Sequence, residues 1–260
     1  MLQPDALARV LAAIPADVWA AHWADSSTLP LRCASKAMQL LVDAMLLPVA
    51  LRMSPGFWFA PPGPTSEKWA EVLQQIHKLA TRARITTLSL LCRSPQVHGL
   101  GCVMPRCRGL RRLEILSNGN LGPTGASIVA EALRACTALT HLKLRRNDMR
   151  PEGMRKLMPT LLLCRDLCVL DLALNNLLDA GVTALAPALG ACPALTHLDL
   201  SGNSIETGGA FVLSQHVREY SDLTLLDLGH NHMRSSGVRL LGPALPRCLR
   251  LRKLDLSNNR

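Results

Sequence analysis

The sequence predicts an α/β solenoid, with parallel strands inside a curve, helices outside, and a small helical unit at the N-terminus. The first observation is a pattern, L-x-x-L-x-L-x-x-N-x-φ with φ apolar, that recurs every 28 residues. Its opening leucines are Leu139, Leu167, Leu195, Leu223 and Leu251, after an earlier copy one residue out of step at Leu110. The second is a glycine at a fixed offset, found at Gly153, Gly181, Gly209 and Gly237. Such a period is typical of stacked repeats, each of which buries its apolar face only against its neighbours.

One repeat shows why strands and helices should alternate. Leu198 and Leu200 are two residues apart, so a short strand points both to one side. Asn203 lies where the chain turns and can satisfy backbone groups that the turn leaves unpaired. A helix should follow, with Leu213 and Val217 on its inner face. Strands stack at about 4.8 Å but helices need about 8–10 Å, so the stack must curve. We expect the equivalent asparagines to form a ladder of such bonds: Asn147, Asn175, Asn203, Asn231 and Asn259.

These motifs make residues 85–260 resemble the ribonuclease-inhibitor-like class of leucine-rich repeat proteins. The class includes inhibitors, immune sensors, cytoskeletal regulators and ubiquitin-ligase receptors. The resemblance implies a surface that holds another macromolecule rather than a cleft for chemistry.

The composition changes before the repeats. Six of the eight aromatic residues lie in the first 69 residues. Residues 1–53 lack the period and are predicted to form a compact helical unit punctuated by prolines. Residues 54–65 form a Pro/Gly connector, and residues 66–260 the solenoid. We expect a helix starting near Ser66 to cover the first repeat, whose opening strand contains Ile85, Leu88 and Leu90.

The helical unit resembles an F-box. The run I-P-A-D-V-W-A-A-H-W matches the start of that motif, with Ile14 where leucine is usual, and L-P-L-R-C-A-S-K-A-M-Q-L-L-V-D matches its second half. In that family the F-box binds a Skp-type adaptor of a cullin-based ubiquitin ligase, and the repeats hold the substrate. The resemblance implies adaptor binding through Ile14, Pro15, Val18 and Trp19. The alternative is a plain helical capping unit with no adaptor.

Cysteines follow the repeat as well. Five of the nine stand three residues before a repeat-opening leucine: Cys107, Cys136, Cys164, Cys192 and Cys248. This register favours buried, reduced thiols that act as small apolar fillers over disulfides. The pairs Cys102 with Cys107, and Cys164 with Cys168, are too sparse for a zinc site. Reduced thiols and the absence of a secretory pattern at the N-terminus predict a cytoplasmic or nuclear protein.

The residues that flank the buried strand leucines should form columns on the concave side. One repeat presents His141, Lys143, Arg145 and Arg146 together, and the next four repeats present aspartates. These basic and acidic residues and His197 make up the candidate partner site, which consists of His141, Lys143, Arg145, Arg146, Asp171, His197, Asp199, Asp227 and Asp255. The alternative is that the aspartates are only solvated, since L-D-L is a common strand in this class.

The net charge and the sequence motifs indicate which class of partner the chain binds. A net charge of +10 favours acidic partners. The repeats hold few aromatic residues and no nucleic-acid motif, so a protein partner is favoured over nucleic acid. The sequence has no apolar run long enough to span a membrane.

Catalytic signals are missing from the sequence. There is no phosphate-binding loop, no G-x-S-x-G, no H-E-x-x-H and no metal-spaced carboxylate set. We therefore predict no enzyme activity, no cofactor and no metal. Three functions stay open: a ubiquitin-ligase substrate receptor, a ribonuclease-inhibitor-like binding or regulatory protein without that link, and a structural scaffold.

The last repeat carries an expectation of its own. The sequence ends at Arg260, just after a strand and turn. Leu254 and Leu256 should therefore be more exposed than their counterparts, because an end repeat without a cap leaves apolar core in water. Either a longer natural chain or pairing with another molecule would cover them.

Overall fold

A computed structural model describes residues 49–52, 74, 85–91, 100–116, 121–217 and 222–260. Its strands form a single eight-stranded parallel sheet in which spatial order follows chain order. The strands are β1 Val49–Arg52, β2 Ile85–Leu91, β3 Arg112–Leu116, β4 His141–Lys143, β5 Val169–Asp171, β6 His197–Asp199, β7 Leu225–Asp227 and β8 Lys253–Asp255. Consecutive parallel strands in chain order are what a solenoid of strand-and-helix units requires.

In the described ranges, helices connect the strands, and each helix packs beside the helices of the adjacent repeats. They are α1 Leu100–Val103, α2 Gly122–Leu133, α3 Arg150–Leu161, α4 Leu178–Ala191, α5 Thr207–Val217 and α6 Arg234–Leu241. Because helices need about twice the spacing of strands, the sheet lies on the inside of the curve. The predicted α/β leucine-rich repeat solenoid, with strands inside and helices outside, is therefore confirmed.

The core lies between the sheet and the helices. Leu198 and Leu200 are fully buried, as are Leu213 and Val217 on the inner face of α5. This burial agrees with the alternation and helical spacing in the sequence. Equivalent leucines in adjacent repeats join into one continuous apolar cluster, so each repeat depends on its neighbours for its core.

The predicted asparagine ladder is present. Asn203 Oδ1 accepts hydrogen bonds from the backbone N–H of Asn175, at 2.9 Å, and of Leu177, at 3.4 Å. Its Nδ2 donates to the carbonyls of Leu172 and Leu200, both at 3.0 Å. Asn175 and Asn231 repeat this pattern. Asn175, Asn203 and Asn231 thus each close their own turn and also hold the turn of the preceding repeat.

The ladder supports turns that are strained. The residue before each ladder asparagine has a left-handed backbone: Arg146, Leu174, Gly202, His230 and Asn258. Leu174, at φ 56°, is a bulky side chain in a region that glycine prefers. Its Cδ2 lies 2.4 Å from the place that a Cβ on Gly202 would take, so a larger residue at position 202 would require the Leu174 side chain to shift. Such backbone costs about 1–3 kcal/mol per residue and persists only where the surroundings hold it.

One helix start is capped by the preceding helix. Asp179 Oδ1, in the first turn of α4, accepts a hydrogen bond of 2.7 Å from the backbone N–H of Glu206, just before α5. A Cβ on Gly208 or Gly209 would lie 2.6 Å from an Asp179 carboxylate oxygen. The glycine pair therefore makes room for a carboxylate at the positive end of α5.

The N-terminal boundary differs from the prediction. Residues 49–52 were assigned to the helical unit, but they form β1 and pair in parallel with β2. The run V-A-L-R is too short to separate a strand from a helix by periodicity, and the sheet edge supplies the partner that decides it. The predicted opening strand at Ile85, Leu88 and Leu90 is confirmed, and all three are buried.

The remaining N-terminal predictions fall outside the described residues. They concern the F-box-like part of residues 1–48, the connector at 54–65 and, apart from the helical Gln74, the covering helix after Ser66.

The last strand is more exposed than the strands before it. Leu254 is 38% exposed, whereas Leu226 at the equivalent place in β7 is fully buried. Among the described residues β8 has one neighbouring strand, so one side of Leu254 lacks the packing that the other repeats have. The expected exposure at this end is confirmed for Leu254.

The cysteine column has the predicted environment. All five of its members are buried free thiols: Cys107, Cys136, Cys164, Cys192 and Cys248. They donate to backbone carbonyls, as Cys136 does to the carbonyl of Cys107 at 3.4 Å. Burial raises the pKa of Cys164 to about 11, and burial together with the neighbouring thiols raises that of Cys136 to about 12. Thiols of this kind react slowly because the thiolate is the nucleophile.

Replacing Asn203 by alanine should cost about 3–5 kcal/mol, because it strands two buried N–H groups and several carbonyls. The matched control is Asn259→Ala, since Asn259 is half-buried and its Oδ1 accepts only from Met233 among the described residues. Urea and thermal unfolding should show a much larger loss for Asn203→Ala. Equal losses would contradict the role assigned to the interior of the ladder.

Thiol labelling should divide the described cysteines into two groups. The exposed Cys102 and half-buried Cys168 should react in the native protein, whereas the five column thiols should react only after denaturation. Peptide mass spectrometry after timed alkylation measures this. Rapid native labelling of Cys164 or Cys192 would contradict the packing role.

Candidate protein-binding face

The sheet presents columns of side chains from successive strands. Lys143 pairs in register with Asp171, Asp171 with Asp199, Asp199 with Asp227 and Asp227 with Asp255. A second column runs from Arg112 through His141, Val169, His197 and Leu225 to Lys253. Residues two apart share a face and adjacent strands lie about 4.8 Å apart. The predicted columns therefore exist, and we call the surface that they form the concave face.

The four basic candidates lie together on β4 and in the turn after it, in the middle of the eight-stranded sheet. Lys143, Arg145 and Arg146 are exposed and His141 is half-buried. We call these four residues the basic cluster. Arg145 Nη1 lies 3.7 Å from Asp199 Oδ2, a long and partly exposed contact that contributes little to stability.

The acidic neighbour of Lys143 on the preceding strand is engaged elsewhere. Glu114 pairs in register with Lys143, but its Oε2 accepts a 3.0 Å hydrogen bond from Ser89 Oγ on β2. No ion pair of Lys143 is present in the described part of the chain. The sequence did not suggest this, because Ser89 lies outside the regular repeats.

His141 and His197 are held in the same way. Thr140 Oγ1 lies 2.9 Å from His141 Nδ1, and Thr196 Oγ1 lies 2.8 Å from His197 Nδ1. The Thr140 hydroxyl donates its hydrogen to the carbonyl of Arg111, just before β3, and the Thr196 hydroxyl donates to that of Cys168, just before β5. Burial, and then the charges of Arg112 and Lys143, lower the pKa of His141. The surroundings of His141 are thus electropositive.

The four aspartates have a structural role that the sequence analysis missed. We call Asp171, Asp199, Asp227 and Asp255 the aspartate column. In each, Oδ1 accepts a hydrogen bond from the backbone N–H two residues later, at 2.9–3.1 Å. They are therefore more than solvated side chains, since each closes the end of its strand.

A signal for this role was available in the sequence. The residue two places after each aspartate is small: Ala173, Ser201, Gly229 and Ser257. A Cβ on Gly229 would lie 3.1 Å from Asp255 Oδ1 and 3.3 Å from Asp227 Oδ1, which shows how little room the carboxylates leave. Where the column has Lys143 instead, the position two residues later is free to hold Arg145.

Stacking of like charges perturbs the column. Burial, followed by the carboxylates of Asp199 and Asp255, raises the pKa of Asp227. Burial and Asp199 likewise raise the pKa of Asp171, although Ala173 N–H and Arg145 oppose the shift. Hydrogen bonds from Ser257 lower the pKa of Asp255 at the open end. The charged forms of Asp171 and Asp227 are therefore less favourable in the folded chain than in the unfolded one.

The described residues contain no set of three or more His, Cys, Asp or Glu placed to hold a metal ion. No helix in the described ranges has the length and apolarity to cross a bilayer. The predicted adaptor residues Ile14, Pro15, Val18 and Trp19 lie outside the described residues.

Asp227→Asn should raise stability at neutral pH by about 0.5 kcal/mol, because asparagine still accepts from Gly229 N–H and removes like-charge repulsion. A carboxyl whose pKa is higher in the folded than in the unfolded chain stabilises the fold at low pH, where it is protonated. That stabilisation is lost as the pH rises through the pKa of the folded chain. The gain should therefore vanish below the ordinary aspartate value of 3.8. Asp255→Asn is the control, and it should lower stability at neutral pH because the pKa of Asp255 is lowered in the folded chain. Urea unfolding midpoints from neutral pH to below 3.8 measure both variants. A gain for Asp227→Asn that does not change with pH would contradict the assignment.

Comparison with known proteins agrees with the geometry. The family described as Leucine Rich repeat matches four segments, residues 135–158, 164–186, 191–214 and 221–242. No curated protein matches the chain significantly. The matched segments coincide with the strand-turn-helix units that run from β4 to α6. The four matched segments between residues 135 and 242 thus have the sequence of leucine-rich repeats.

Proposed function

We propose that the concave face binds a protein partner whose charges mirror its own. Leucine-rich repeats are protein-protein interaction modules, and the bipolar charge pattern is the observation that supports this use of the concave face. The basic cluster stands beside the aspartate column, and only the long contact between Arg145 and Asp199 links them within the described residues. A partner with acidic groups opposite the cluster and basic groups opposite the column would satisfy both.

The raised pKa values of Asp171 and Asp227 support a binding role for the column. Asparagine could close the same strand ends without repulsion. Carboxylates held at a cost to stability are typical of functional positions. A partner's cation placed over the column would remove the repulsion and favour the ionised form.

The finer proposal is that the chain is a substrate receptor of a cullin-based ubiquitin ligase. What supports it is the F-box resemblance in residues 11–46 and the order of F-box followed by leucine-rich repeats. In this proposal Ile14, Pro15, Val18 and Trp19 bind a Skp-type adaptor, the concave face holds the substrate, and the protein works in the cytoplasm or nucleus.

Charge reversal tests the concave face. With Lys143→Glu and Arg145→Glu combined, association with a partner captured on the wild-type chain should slow about tenfold or more at low salt. The matched control reverses Lys156 and Arg239, two exposed basic residues on helices α3 and α6, which changes the net charge equally. Stopped-flow or surface-plasmon kinetics measure both, with unfolding curves as a check on stability. Equal slowing in the two variants would mean that overall charge, not the concave face, steers the partner.

Adaptor binding tests the ligase assignment. A Skp-type adaptor should co-purify with the wild-type chain and be lost when Val18 and Trp19 are both replaced by aspartate. The Lys143→Glu and Arg145→Glu variant should keep the adaptor, because its changes lie in the repeats. A wild-type chain that binds its partner but no adaptor would favour a ribonuclease-inhibitor-like scaffold without a ligase link.

A further inference from the structure

Arg112, His141 and Lys143 lie on the same face of the adjacent strands β3 and β4. Arg112 on β3 pairs in register with His141 on β4, and Lys143 lies two residues after His141. The intervening Leu142 is fully buried, so the other three side chains share the opposite face. Strand geometry separates their Cα atoms by about 5–8 Å, a distance that long side chains and one small anion can bridge.

Two observations show that these groups are available. Neither Arg112 nor Lys143 has an ion-pair partner in the ranges that the structure describes, and Ser89 holds Glu114 on the β2 side. His141 is oriented by Thr140 through Nδ1, while Nε2 has no partner among those residues. The ring is therefore fixed with one nitrogen ready for a ligand.

We propose that Arg112, His141 and Lys143 form a phosphoryl site, which receives the phosphate of a phosphoserine or phosphothreonine on the protein partner. The proposal rests on the proposed function of the concave face and names the chemistry of one contact in it. Three donors on two strands match the three terminal oxygens of a phosphomonoester, whereas a carboxylate has two. A phosphomonoester also carries about −1.5 to −2 charges at neutral pH, twice that of a carboxylate or a phosphodiester.

The acidic groups near the site do not neutralise its positive charge. From β3 the groups that face His141 are Arg112 and Glu114, with Arg111 just before the strand. From β5 they are Asp171 and Cys168, from β6 His197 and Asp199, and on its own strand Lys143. Asp171 Oδ1 is engaged by Ala173 N–H and Asp199 Oδ2 by Arg145. The cations dominate at His141, since Arg112 and Lys143 are the charges that most lower its pKa.

This environment links binding to proton uptake. Without ligand, Arg112 and Lys143 disfavour the imidazolium. A bound dianion reverses the local field, so His141 should gain a proton and donate from Nε2 while Nδ1 stays on Thr140. The ligand should therefore raise the pKa of His141.

The chain contains a matched control in His197. Thr196 holds its ring as Thr140 holds that of His141. Its register partners, however, are Val169 and Leu225, and its own strand carries Asp199. The two histidines thus share their attachment and differ in neighbouring charge.

The test is an NMR titration of the full chain with histidine-labelled rings. The probes are capped glycine peptides with a central phosphoserine, serine or aspartate, and a dinucleotide phosphodiester. Only the phosphoserine peptide should shift the His141 ring strongly and raise its pKa, on the order of one unit, with His197 unchanged. Arg112→Ala or Lys143→Ala should weaken phosphoserine binding about tenfold, whereas Lys156→Ala should not.

Other outcomes would overturn the proposal. Equal binding of the aspartate peptide would replace a phosphoryl site by a general carboxylate site. Stronger binding of the dinucleotide would indicate nucleic acid. No shift at His141 with any probe would exclude the site even if its partner still binds the concave face, because partner capture is measured separately. Conversely, phosphoserine binding with no effect of Lys143→Glu and Arg145→Glu on partner association would contradict both the proposed function and the assignment of the phosphate to that partner.

Discussion

The asparagine ladder is the constraint on which the rest of the described structure depends. The buried amides of Asn175, Asn203 and Asn231 each hold three or more backbone groups that the turn after a strand would otherwise leave unpaired. Buried unpaired groups cost about 1–3 kcal/mol each, more than most single contacts supply. The left-handed residues beside each asparagine are tolerated because this network fixes them. With the turns fixed, every strand starts and ends at the same height, and this alignment brings the columns of the concave face into register.

The aspartate column shows how fold and candidate function share residues. Its Oδ1 atoms close the strand ends, and its charges repel one another along the sheet. The two effects have opposite signs for stability, and only the second disappears when a cation is placed over the column. In the repeat with Lys143 the strand end has no such carboxylate, and the surface changes from acidic to basic within one strand spacing.

Much of this could be predicted from the sequence, for a physical reason. A fixed period makes each repeat an independent test of the same pattern, so Leu198, Asn203 and Cys192 could be placed without a structure. The hydrogen bond between Ser89 and Glu114 could not, because Ser89 lies outside the 28-residue period. The bond between Asp179 and the backbone of Glu206 could not, because it joins residues at non-equivalent positions of their repeats. The strand at Val49–Arg52 was missed since the sheet edge, rather than its own periodicity, determines its conformation. The charge pattern of the candidate site was visible, but which charges are already paired depends on side-chain geometry.

The ladder also has a direction. Asn203 accepts from the backbone of the turn that contains Asn175, and Asn231 does the same for the turn of Asn203. Each unit thus supplies an amide to the unit before it and needs one from the unit after it. A tandem duplication of one 28-residue unit brings one amide and one turn, so no bond is left open at either junction. Loss or gain of part of a unit breaks that correspondence. An array of this kind can lengthen or shorten by whole units during evolution while its internal bonding stays complete.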